Sequence, residues 1–102
     1  MFDKLAKIKE RYDELTALVN DPDVIGRQNE WREYVKEQAN LSETVDAYTA
    51  YMTSQEQLES AQAMLAEAGT DAEFEALLEL EIEELKEKLE RLETELKKLL
   101  IP

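Results

Sequence analysis

An all-α fold, an elongated three-helix bundle, is the architecture this sequence predicts, and three observations predict it. Leu, Ala, Glu and Lys dominate, while glycine and proline occur only twice each in 102 residues. That mix favours long helices over sheet. Apolar residues recur at steps of three and four along the chain. The last third carries a sustained heptad, the pattern of a coiled coil. The expected arrangement is a long antiparallel coiled-coil hairpin of the second and third helices, with the first helix packed at its base.

The first helix is expected over about 3–19, where Leu5, Ile8, Tyr12, Leu15 and Val19 form one amphipathic stripe. The stripe stops at Asn20, Asp21 and Pro22, which open a turn over 20–28. Asp21, Asp23 and Gly26 fall at the first, third and sixth places of a calcium loop, but its fifth and twelfth places hold Ile25 and Arg32. Neither supplies the required oxygen, so the spacing does not make a metal site. The plainer reading has Asp21 as a cap, Pro22 at the first helical position and Gly26 closing a single turn. Val24 and Ile25 are then expected to fold back and seal the base.

The second helix is expected over about 29–68, with Asn29 as its cap. Trp31, Tyr34, Val35, Leu41, Val45, Tyr48 and Met52 keep helical spacing. The pattern then thins, leaving Leu58, Ala61, Met64 and Leu65 apolar among Gln55, Glu56, Gln57, Glu59 and Gln62. A left-handed cap is expected at Gly69, followed by a capping box of Thr70 and Glu73. The third helix, about 70–100, carries its seam on Leu78, Ile82, Leu85, Leu89, Leu92, Leu96 and Leu99. So short a connection implies an antiparallel hairpin. Aromatic residues gather at the three-helix end, so stability is expected there, with a thinner and more mobile tip. No internal boundary is visible; residues 1–102 read as a single helical domain, and the heptad ending at Ile101-Pro102 reads as an element cut at a linker.

The net charge of −13 is unevenly spread. Residues 1–19 balance four basic against four acidic groups, whereas 69–102 hold five basic and eleven acidic groups. Acidity on this scale aids solubility and repels nucleic-acid phosphate, so any RNA contact is expected on the neutral first segment. There is no histidine and no cysteine. That removes Ser-His-Asp and Cys-His nucleophiles, nitrogen- or sulfur-ligated zinc and the Glu-x-x-His di-iron signature. The lack of cysteine fits a reducing cytosol, and no apolar run approaches the ~18 residues of a membrane span. Neither glycine sits in a phosphate-binding loop. No cofactor, metal or small-molecule substrate is implied, and no enzyme.

Two further clusters have plain readings. Glu79, Glu83, Glu87 and Glu90 share one face of the third helix, but Lys86 lies within a turn of Glu83 and Glu90, and Lys88 within a turn of Glu84, which suits solvated, locally paired charge. Trp31, Tyr34, Tyr48 and Tyr51 could stack bases, yet without basic residues interleaved they read as packing. Lys4, Lys7 and Arg11 differ. They share one face of the first helix beside its apolar stripe. They read either as a solvated edge paired with Asp3, Glu10 and Glu14, or as a contact for RNA phosphate or an acidic partner.

RYDEL at 11–15, NDPDVI at 20–25, EW at 30–31, KEQANLSETVDAYTAY at 36–51 and the terminal LKKLLIP together resemble the N-terminal domain of the bacterial peptide chain release factor 1 family, in order and over essentially the whole chain. The resemblance implies translation termination in the cytoplasm. Full-length members read a stop codon and promote peptidyl-tRNA hydrolysis through a codon-reading tripeptide and a Gly-Gly-Gln loop; neither motif occurs here. The implied role is therefore docking and communication without catalysis. The implied partners are the ribosome's GTPase-associated centre, with its ribosomal RNA and stalk-base protein, and a functional link to release factor 3. A free-standing coiled-coil adaptor or chaperone-like protein is the alternative reading of the same helices.

Overall fold

The computed structural model describes residues 1–67, 69 and 71–102. Among these there are helices and turns and no strand. The elements are α1 (Phe2–Val19), α2 (Pro22–Ile25), α3 (Gln28–Glu67) and α4 (Ala72–Leu99). The fold is all-α, as the composition and periodicity predict. Two compact units divide the chain, Met1–Asp46 together with Pro102, and Ala47–Ile101.

In the first unit, Leu5 and Leu15 of the α1 stripe are fully buried, joined by Val24 and Val45. The corner after α1 forms as its residue types dictate. Asp21 adopts an extended conformation and its Oδ1 accepts from the Asp23 N–H at 2.9 Å. Pro22 occupies the first turn, where its missing N–H costs nothing. Gly26 ends the turn, its N–H donating to the Pro22 carbonyl at 3.0 Å. Its φ of −65 is right-handed, so no left-handed freedom is used there. Val24 is buried, but Ile25 is 46% exposed, because a single turn directs two consecutive side chains about 100° apart and only one can face inward.

α3 starts at Gln28, one residue before the expected Asn29 cap. The Arg27 carbonyl accepts the first bond from the Trp31 N–H at 3.0 Å, so Asn29 lies inside the first turn. The indole of Trp31 reaches back and donates to the Val19 carbonyl at 3.1 Å. This satisfies one of the carbonyls that the end of α1 leaves without an intrahelical donor. Gln38 Nε2 donates to Thr16 Oγ1 at 2.9 Å, nearer the middle of the two helices. Together these bonds pair α1 antiparallel with the first part of α3.

In the second unit, Ala47, Ser54 and Ala61 are the buried residues of α3, spaced by sevens. On α4 the buried positions are Leu78, Ile82, Leu85 and Leu96, with Leu89, Leu92 and Leu99 half-buried. The buried positions are thus small on α3 and large on α4, a pairing that suits close approach of two helix backbones. Met52 and Met64, expected on the inner stripe, are exposed at 39% and 48%. The seam instead includes Ser54, whose polar side chain hid it in the sequence pattern.

Gly69 has φ +50, the left-handed conformation expected of it. Thr70 lies outside the described residues. The cap of α4 is Asp71, whose Oδ1 accepts from the Glu73 N–H at 3.1 Å and the Phe74 N–H at 3.2 Å. Asp shares the capping chemistry of Thr, and here it stands one residue closer to the helix. Lys97 and Lys98 occupy the last turn, where cations suit the helix dipole.

Candidate functional site

The basic face of α1 divides when its partners are counted. Arg11 is tied down. Its Nε and Nη2 donate to the two oxygens of Glu37 on α3, at 2.5 and 2.9 Å, in a bidentate fork. Its Nη1 reaches Glu14 at 3.1 Å. The hydrogen bond to Glu37 is the main reason the guanidinium holds its proton more firmly than usual, with Glu14 next. Glu37 in turn is held below the usual carboxylate range, chiefly by the bond from Arg11. Such a fork fixes geometry as well as charge.

Lys4 and Lys7 are exposed, and neither makes an ion pair with a described residue. Lys9, on another face of α1, is neutralised by Asp13 at 2.7 Å. Asp3 and Glu10, the local partners expected for the basic trio, form no ion pair with it; only Glu14 does. The trio therefore consists of two open cations and one arginine that braces α1 against α3. Sequence spacing placed all three on one face but could not find Glu37, since the match of Arg11 to Glu37 depends on the register of α1 on α3.

Tyr12, Trp31, Tyr34, Tyr48 and Tyr51 are each half-buried, and Trp31 is committed to the Val19 carbonyl. No cluster of three or more His, Cys, Asp or Glu able to hold a metal occurs among the described residues. No helix among them is long and apolar enough to cross a membrane.

Comparison with known proteins gives the family. The PCRF domain matches residues 8–102. Peptide chain release factor 1 of Desulfitobacterium hafniense is 46% identical over 99 residues, 97% of this chain and 28% of that protein. Peptide chain release factor 1 of Bacillus subtilis is 46% identical over 102 residues, covering 100% of this chain and 28% of the relative. The protein of the same name from Staphylococcus carnosus is 45% identical over 102 residues, with the same coverage of 100% and 28%. The chain thus spans little more than a quarter of the length of these relatives. No solved structure matches it. On these matches, the chain belongs to the PCRF domain family and is similar over its whole length to the N-terminal region of bacterial peptide chain release factor 1.

Proposed function

We propose that this chain is the ribosome-docking domain of a stop-codon-reading release factor, acting in translation termination in the cytoplasm and doing no chemistry itself. One observation carries the reading: the whole chain aligns with factors named for peptide release, yet spans only 28% of their length. What the remainder of such a factor does is not asked of these residues. The side chains present suit docking. Lys4 and Lys7 offer unneutralised ammonium groups to phosphate, and Arg11 holds α1 so that they point together. The partner expected at this face is the ribosome's GTPase-associated centre, through its ribosomal RNA and stalk-base protein, with release factor 3 linked functionally. In this reading residues 1–102 act as one domain at the start of a longer factor.

The test is competition. The 102-residue chain is titrated against ribosomes stalled at a stop codon and carrying a labelled full-length factor. Displacement of the label without peptide release supports the proposal. Peptide release by the chain alone would overturn its non-catalytic part, and absence of displacement would overturn docking.

A further inference from the structure

Residues 37–85 hold thirteen Asp and Glu side chains and no Lys or Arg, which equals the chain's whole net charge of −13. Part of this acidic span is also where large apolar side chains face water. On α4, Phe74, Leu77 and Leu80 are 39%, 61% and 57% exposed, off the buried stripe of Leu78, Ile82 and Leu85. Steps of three set them along one ridge. Glu81 shares a face with Phe74 and Leu77, at i+7 and i+4. With Glu56 and Met64 of α3, Glu81 lines a shallow recess of about 270 Å³, all within the second unit.

We propose that this ridge and recess form a docking surface for a basic amphipathic helix of a partner protein. The geometry sets both halves of that chemistry. Leu77 and Leu80 ask for an apolar face to cover them, and an exposed apolar ridge rimmed by charge is the usual mark of an interaction site. Glu56 and Glu81 ask for Lys or Arg at its edges. Met64, unbranched and exposed beside the recess, can adapt to the side chain that enters. Nucleic acid is a poor fit, because neither the ridge of Phe74, Leu77 and Leu80 nor the lining of the recess includes a cation to meet its phosphates. A second copy paired through the same surface is also a poor fit, because it would bring its own carboxylates against these. The surface uses none of the residues of the α1 face and goes beyond the ribosome-docking proposal; it stands or falls on different measurements.

The 102-residue chain is titrated, by fluorescence anisotropy, with three labelled probes: a helical Leu/Lys peptide with one apolar face, a Ser/Lys peptide of equal charge, and a short RNA duplex. The expected result is saturable one-to-one binding of the Leu/Lys peptide, at least about tenfold weaker binding of the Ser/Lys peptide, and none of the RNA. Leu77→Ser combined with Leu80→Ser should weaken the Leu/Lys peptide by about tenfold or more, with the helical circular dichroism unchanged. Glu56→Gln with Glu81→Gln should weaken it too and flatten its salt dependence. Equal binding of the two peptides, or no loss in the leucine double variant, would reduce the surface to bulk charge and overturn the proposal. Preferred binding of RNA would overturn it as well. So would self-association of the free chain that the leucine double variant abolishes, since the occupant would then be a second copy.

Discussion

Where α1 pairs with the first part of α3, side chains reach across in polar bonds: Arg11 to Glu37, Gln38 to Thr16, and the Trp31 indole to the Val19 carbonyl. Where the remainder of α3 pairs with α4, the buried positions are small on α3, Ala47, Ser54 and Ala61, and large on α4, Leu78, Ile82, Leu85 and Leu96. The first pairing fixes direction and register through specific donors and acceptors. The second fixes distance through volume. The surfaces differ in the same way. The first unit presents open cations on α1, and the second an apolar ridge among carboxylates.

The sharpest break in the first unit should come from its apolar core. Leu15 has no exposed surface, and Leu15→Ala should cost about 3 kcal/mol by leaving a cavity under α1. Urea unfolding followed by circular dichroism measures it. In the second unit the corresponding break is the reverse, addition of volume. Ala61→Leu should cost about 2 kcal/mol by forcing the helices apart, whereas a pairing with spare room would accept it without loss.

Ser54 gives a prediction of opposite sign. It is fully buried, and its hydroxyl has no hydrogen-bond partner among the described residues. Ser54→Ala keeps the small volume the seam requires and removes an unmet polar group, so it should stabilise by about 1 kcal/mol. A loss of stability at this position would mean that the hydroxyl is bonded in solution.

The smallest effect belongs to the exposed fork between Arg11 and Glu37, whose attraction is screened by water. Its sign is fixed all the same. The folded-state pKa of Glu37 is depressed, so its contribution is present above the ordinary carboxylate pKa and is lost as pH falls through the folded value. Arg11 stays charged throughout, its pKa being raised. Glu37→Gln should therefore unfold slightly earlier than the parent chain at neutral pH, and the two should converge on acidification. A gap that persists at acid pH would point to lost packing instead.

How far the sequence reveals this molecule depends on the range of the interactions. The corner at Asp21, Pro22 and Gly26 was legible because capping and first-turn chemistry act within four residues. Gly69 was legible for the same reason. The cap of α4 was harder, because Thr70 and Asp71 carry equivalent capping groups side by side. Ser54 was hidden by its polarity, although its spacing of seven from Ala47 and Ala61 marks it as part of the seam. The ridge of Phe74, Leu77 and Leu80 is masked in the sequence by the stronger heptad of Leu78, Ile82 and Leu85 beside it. The Arg11 fork could not be read at all, since it joins residues 26 apart and needs the helix register. Lys4 and Lys7 were found as one face with Arg11, but only the structure separates the open cations from the braced one.

Lys4 and Lys7 are the residues on which the proposed docking to ribosomal phosphate depends. The direct measurement is displacement of a labelled full-length factor from stop-codon ribosomes by the parent chain and by its Lys4→Ala/Lys7→Ala variant, across a range of salt. The parent chain should displace the label, and the variant should fold equally well yet need about tenfold more protein with a shallower salt dependence. Equal displacement by the two chains at every salt concentration would contradict this.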